Sequence, residues 1–217
     1  MIINLNLQGK VVIVIGGGNE ALKRINSLLK EKCQIIVISS MINNQIKTLV
    51  KNKKINYKKQ KVQDTSILST YNPYMVITTT NDKKLNQKII KNAKTKKIIA
   101  YSSDNPELSD FSNPAIIDFD NLIQIAIFTG GKSPAMSKKL RVESEKIFKK
   151  LITKEEISQM KIQNIVREIA KNKIATQNER KNYLKYIMSN KEIKQLIKEG
   201  QMKKAENQAK SILRNWK

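Results

Sequence analysis

Residues 11–21 read Val11-Val12-Ile13-Val14-Ile15-Gly16-Gly17-Gly18-Asn19-Glu20-Ala21. Five β-branched residues in succession, apolar at every position, suit a strand buried on both faces, as in a parallel sheet covered by helices. The residues that follow match G-x-G-x-x-A, the turn between a strand and a helix that cradles a pyrophosphate. In that reading Gly16 permits the tight turn, Gly18 lets backbone approach the phosphates, and the small Ala21 lets helix and strand pack closely. Gly17, Asn19 and Glu20 complete the candidate cofactor-binding set, because the helix N-terminus presents N–H donors and a partial positive charge to an anion. A purely structural tight turn is the alternative. Only seven glycines occur, and five lie in two clusters, Gly16-Gly17-Gly18 and Gly130-Gly131. Such clusters mark places where backbone must turn sharply or approach something closely.

Outward from this turn the same alternation recurs. A helix follows, with Ala21, Leu22, Ile25, Leu28 and Leu29 on one side. Further apolar runs at residues 35–38, 55–57, 74–78 and 98–101 read as strands, with helical patterns at 42–50 and 83–93 between them. The fold class expected is α/β, a Rossmann-like doubly wound parallel sheet. The pattern then changes. Residues 115–119 and 122–128 form a strand pair joined by Asp120-Asn121, a plausible hairpin turn. Ser133 is an N-cap and Pro134 a first helical residue for a long helix. From Thr153 onward the chain reads as helical, in segments 162–172, 179–189, 191–199 and 201–216. Three regions are expected: 1–112, 113–150 and 151–217.

At the end of the second strand an acid commonly binds the ribose hydroxyls. Ser39 and Ser40 stand there instead, followed by Met41. Serine can hydrogen-bond a ribose and does not repel a 2′-phosphate, so these residues do not choose between NAD and NADP. They can equally cap a helix that starts at Met41.

Composition narrows the chemistry. Histidine is absent, which removes Ser-His-Asp and Cys-His triads and histidine metal ligands. The single cysteine, Cys33, allows no intramolecular disulfide and no cysteine metal cluster; it precedes a buried strand and reads as core. No metal site is expected. The formal charge is +24, with lysine supplying 37 of the 42 basic residues. The excess is spread along the chain: 26 basic against 11 acidic residues in 1–150, and 16 against 7 in 151–217. That even spread disfavours nucleic acid as the partner, since binders concentrate charge on a patch or tail. It suits a polyanionic small substrate. No apolar run is long enough to span a membrane, and Met1 to Gln8 lack a signal-peptide core, so a cytoplasmic protein without a membrane partner is expected.

Further motifs follow in a recognisable order. After the glycine turn come Thr79-Thr80-Asn81-Asp82, then Asn86-Gln87, and then Asp104 with Pro106, Phe111 and Pro114-Ala115. Thr129-Gly130-Gly131-Lys132-Ser133-Pro134-Ala135 and Arg141 come next, followed by Thr176 and Glu179-Arg180-Lys181. In order and spacing the chain resembles the precorrin-2 dehydrogenase family, the module that in siroheme synthases oxidises precorrin-2 to sirohydrochlorin. Phe128, where the family usually has serine, and Tyr101-Ser102-Ser103 before the aspartate are departures that weigh against added metal insertion.

The resemblance implies NAD as cofactor, with Thr79, Thr80 and Asn81 on its ribose and nicotinamide side. It implies a tetrapyrrole substrate and assigns Asp104 as general base. Residues Thr129, Gly130, Gly131, Lys132, Ser133, Arg141, Arg180 and Lys181 become candidates for binding the substrate's carboxylates. It also implies a homodimer built from the middle and helical parts. By residue chemistry alone, Asp104 can be an Asx turn before Pro106, residues 78–82 a helix cap, residues 129–133 a loop and helix cap, and Arg141, Arg180 and Lys181 solvated surface. The alternative functions are a bifunctional enzyme that also inserts Fe²⁺ or Co²⁺, or, in a different class, a Rossmann ligand sensor or nucleic-acid-binding module.

Overall fold

The structure, a computed structural model, describes residues 2–216; Met1 and Lys217, the ends of the expected first and third regions, lie outside the described residues. The chain divides into two units, one ending at Asn113 and the other beginning at Pro114.

The first unit is built on strands β1 (Val11–Ile15), β2 (Gln34–Ser39), β3 (Asn56–Lys59), β4 (Met75–Thr78) and β5 (Ile99–Ser102). They form one parallel sheet in the order β3-β2-β1-β4-β5. Between them run helices α1 (Asn19–Leu28), α2 (Asn44–Lys51), α3 (Ser66–Tyr71) and α4 (Lys83–Thr95). The strand period of two sorts β1 between two cores. Val12 and Val14 pack with Val37, Met75 and Ile77 against Ala21, Ile25 and Leu28 of α1 and Ile46 of α2. Ile13 and Ile15 pack with Ile38, Val76 and Ala100 against Ile67 and Leu68 of α3 and Ile89, Ile90 and Ala93 of α4. A strand covered on both faces favours an apolar residue at every position, which is why residues 11–15 read as a continuous apolar run. Each such buried side chain contributes about 1.5–3 kcal/mol.

Three details differ from the sequence reading. Strand β3, Asn-Tyr-Lys-Lys, is exposed at the sheet edge apart from the half-buried Tyr57, so not every strand is apolar on both faces. Lysine on an edge strand blunts pairing with another chain. Helix α2 begins at Asn44 rather than near Met41: its cap is Asn43, whose Oδ1 accepts from Ile46 N at 2.8 Å. Ser39 and Ser40 are therefore not its cap. Helix α3 was not foreseen, because six residues with one adjacent buried pair, Ile67-Leu68, show no helical period.

The second unit opens with the antiparallel hairpin β6 (Ala115–Phe119) and β7 (Ile123–Ile127). Asp120 and Asn121 at its tip both have φ of +55°, the two positive values a two-residue primed turn requires. Helix α5 (Pro134–Leu151) follows, capped by Ser133 with Pro134 in its first turn. Helices α6 (Lys154–Lys173), α7 (Gln177–Ser189), α8 (Lys191–Lys198) and α9 (Met202–Arg214) then enclose one core around Ile162, Val166, Tyr183, Ile187, Ile193 and Leu213. Tyr183 is fully buried, its hydroxyl donates to Ala209 O at 2.9 Å, and burial pushes its pKa up to about 12. Met202 packs on this core, whereas Met188 is exposed, and Gln163 Nε2 donates to its sulfur. Among the described residues no helix is long and apolar enough to cross a membrane.

Candidate functional site

Strand order reverses at β1, whose neighbours are β2 and β4. The chain leaves β1 towards β2 and β3, then returns to the other side of β1 as β4. In open α/β sheets the crevice outside the carboxyl ends of the strands at that switch point receives the ligand. Here it is formed by the turn after β1 and the turn after β4.

Gly16 has φ of +120°, and a Cβ there would land on Thr79 Oγ1 and press on the Thr79 backbone. The two turns are locked together, since Thr79 N donates to Ile15 O at 2.8 Å and Thr79 Oγ1 donates to the same oxygen at 2.9 Å. A Cβ at Gly17 would collide with Met41 O and Ile42 Cα. The sequence reading assigned no such role to Gly17, the middle position of the motif; only the placement of the β2–α2 loop reveals it. Gly18 is different: it is exposed, its φ is −88°, and a Cβ would meet nothing within 4 Å. It caps α1 and, lacking a side chain, leaves the first N–H groups of α1 without the side-chain acceptor that a Ser, Thr, Asn or Asp cap supplies. Ala21 is fully buried beneath the turn, as close helix–strand packing needs. These features fit a dinucleotide: a backbone cradle too close for side chains at Gly16 and Gly17, opening at Gly18 beside a helix N-terminus that has no side-chain cap.

The neighbouring candidates have definite places. Glu20 pairs with Lys23 at 3.1 Å and with Arg24; despite the opposing effect of partial burial, these cations hold its carboxyl below the usual range. Asn19 is exposed and accepts from Asn43 Nδ2 at 3.3 Å, while Asn43 N donates to Gly17 O at 2.9 Å, tying the β2–α2 loop to the glycine turn. The Ser39 hydroxyl donates to Met41 O at 2.7 Å; Ser40 and Met41 are exposed. Asp82 caps α4 through Leu85 N at 2.9 Å, and Asn81 is exposed beside it. Cys33 is half-buried with its thiol pushed up, burial being the main cause.

Asp104 follows β5 at the same carboxyl edge. Its Oδ1 accepts from Ser102 Oγ at 2.7 Å and from Asn86 Nδ2 at 2.9 Å. The side chain is thus held by β5 and α4 rather than folded into an Asx turn. Behind it, Ser102 and Thr78 are buried with hydroxyls 3.2 Å apart, and Asn86 is fully buried. Asn86 also bonds Thr80 twice: its Nδ2 donates to Thr80 O at 2.9 Å, and its Oδ1 accepts from Thr80 Oγ1 at 2.6 Å. The sequence signal for Asn86 was available. With Ile89, Ile90 and Ala93 it occupies the buried stripe of α4, the one polar residue among the four buried on that helix.

The remaining candidates lie in the second unit. The Thr129 hydroxyl donates to Ser133 O at 3.1 Å and lies 2.7 Å from Ser137 Oγ. Gly130 and Gly131 have φ of +64° and +74°, with open space beside both, and Lys132 is exposed. Arg141 pairs with Glu145 at 2.8 Å. Arg180 donates to Ile174 O at 2.7 Å and Ala175 O at 2.9 Å, satisfying carbonyls after the end of α6. Lys181 is exposed. Among the described residues no three His, Cys, Asp or Glu side chains gather as a metal-binding group.

Residues 3–115 match the family described as "Putative NAD(P)-binding". The chain is 32% identical over 143 residues to the siroheme synthase of Buchnera aphidicola subsp. Acyrthosiphon pisum, covering 66% of this chain and 29% of that protein. It is 25% identical to the siroheme synthase of Actinobacillus pleuropneumoniae serotype 7, over 97% of this chain and 42% of that protein. The chain therefore spans well under half the length of these relatives. Among solved structures it is similar to SirC, precorrin-2 dehydrogenase, with a TM-score of 0.72 and 19% identity, covering 97% of this chain and 99% of the other. That likeness shows the shared fold.

Proposed function

The chain belongs to the NAD(P)-binding family matched across residues 3–115, and from that premise we propose that it oxidises precorrin-2 to sirohydrochlorin with NAD as acceptor. The observation that carries the reading is Asp104: an exposed carboxylate at the carboxyl edge of β5, with both hydrogen-bond donors gathered on Oδ1. Oδ2 is left to meet a substrate. The siroheme synthases among the relatives support the choice of substrate.

Gly16–Gly18 and the first N–H groups of α1 would hold the pyrophosphate, Ser39, Ser40 and Met41 would hold the ribose, and Thr79, Thr80 and Asn81 the nicotinamide side. Bound there, NAD would supply the hydride acceptor for the macrocycle's oxidation. The accompanying proton goes to Asp104, in a chain with no histidine to take it. Lys132 and the turn of residues 129–133 are the second unit's anchor for substrate carboxylates, with Lys181 as a further cation. Arg141 and Arg180 are engaged through Nη1, with Glu145 and with the carbonyls of Ile174 and Ala175, and would serve there through their remaining N–H donors.

We also propose a cytoplasmic homodimer in which residues 113–150 supply the interface. Helix α5 has no buried residue along 18 positions, and Met136, Leu140, Ile147 and Leu151 form an exposed stripe at helical spacing. A second copy of this chain is the occupant that the resemblance implies.

The direct test is Asp104→Asn, which keeps an oxygen for Ser102 and Asn86 and removes the basic carboxylate. NADH formation from anaerobically prepared precorrin-2 is expected to fall on the order of 10²–10⁴-fold while NAD affinity persists. Turnover within a few-fold of the unsubstituted enzyme would make Asp104 a structural residue only.

A further inference from the structure

We propose that Asn86 is the positioning residue for Asp104, holding the carboxylate in register with the turn that borders the nicotinamide; this rests on the reading of Asp104 as base. The amide orientation follows from its partners. Nδ2 faces two groups that only accept, Thr80 O and the Asp104 carboxylate, both at 2.9 Å, while Oδ1 receives the Thr80 hydroxyl at 2.6 Å. Both amide hydrogens and the carbonyl oxygen are engaged in a fully buried side chain, so the amide cannot turn without leaving buried groups unpaired. Thr80 belongs to the turn after β4, and Asp104 to the turn after β5. No backbone hydrogen bond joins these two residues directly. The β4–β5 ladder ends just before them, with Ser103 N donating to Thr78 O at 3.0 Å, and Asn86 extends that link from α4 into the two turns themselves. Ser102 holds the same Oδ1 from the other side, and together the two donors turn Oδ2 outward.

The test exchanges the pair. Asn86→Asp keeps the volume but sets two carboxylates against each other. Asn86→Asp with Asp104→Asn restores donor and acceptor between these two residues in reversed order, leaves Thr80 O without its donor as Asn86→Asp alone does, and moves the carboxylate off its edge position. The four proteins are compared by thermal unfolding, by calorimetric NAD titration and by precorrin-2 turnover. Asn86→Asp is expected to lower Tm by on the order of 5 °C, and the exchange to recover the part of that loss that comes from the two facing carboxylates. Asn86→Asp is expected to lower kcat at least about tenfold with the KM for NAD within about threefold, and the exchange to be no more active than Asp104→Asn alone. A merely structural asparagine would lower Tm without that split between kcat and KM. If Asn86→Asp does not fold, the exchange variant is expected to fold. Failure of the exchange to recover Tm or folding overturns the proposal, as does an exchange variant with near-normal turnover. If the unsubstituted protein binds NAD but does not oxidise precorrin-2, the substrate reading falls, and the thermal comparison still decides the Asn86–Asp104 pair.

Discussion

Gly16–Gly18 and Gly130-Gly131 each follow a strand and precede a helix, yet a methyl group added to them would meet different surroundings. At Gly16 and Gly17 it would strike Thr79, the Met41 carbonyl and Ile42. At Gly130 and Gly131 it would meet nothing within 4 Å, and only the positive φ favours glycine. The first cluster is glycine because two loops converge on it. The second is glycine because the chain reverses there. Convergence of loops at a strand-order switch is what a binding crevice requires, whereas a reversal before a helix needs no ligand. The difference argues that the first turn is the better-founded site.

The comparison can be broken at three strengths. Gly17→Ala should be the most damaging, because the colliding atoms are backbone and cannot rotate away. A loss of about 3 kcal/mol in urea unfolding, with loss of NAD binding, is expected. A variant of normal stability would show that the β2–α2 loop yields easily. Gly18→Val separates fold from ligand. Its backbone angles are ordinary and the space is open, so Tm should stay within about 2 °C, while NAD affinity drops about 100-fold as the side chain enters the pyrophosphate position. Calorimetry showing unchanged affinity would remove this turn from the cofactor site. Gly131→Ala should do least: about 1 kcal/mol for a left-handed backbone without a clash, and no change in NAD affinity. A cost as large as that of Gly17→Ala would mean that the second turn is also closely packed against other atoms.

Much of the first unit was legible in residues 11–21, because a strand buried on both faces cannot hide its composition. The β6–β7 turn was legible for a related reason: Asp120-Asn121 tolerates the φ of +55° that the turn imposes on both residues. Helix α3 and the start of α2 were not. Local chemistry allowed Ser39-Ser40 to cap a helix as well as Asn43 does, and the choice fell to Asn43 once the loop was held to the glycine turn through Gly17 O. Arg180 shows the same limit, since its guanidinium spans to carbonyls five and six residues back.

The amino-acid sequence by itself determined the buried strand of residues 11–15, the glycine turn after it and the absence of histidine as a proton acceptor. Those properties follow from periodicity, glycine and residue counts, which need no third dimension. Tertiary structure alone decided why Gly17 must be glycine, and that Asp104 is held by Ser102 and Asn86 rather than by its own loop. Each depends on atoms from separate elements, Gly17 against Met41 and Ile42 of the β2–α2 loop, and Asp104 against Asn86 of α4, 18 residues away. Hydrogen-bond geometry acts over about 3 Å and carries no trace in sequence spacing.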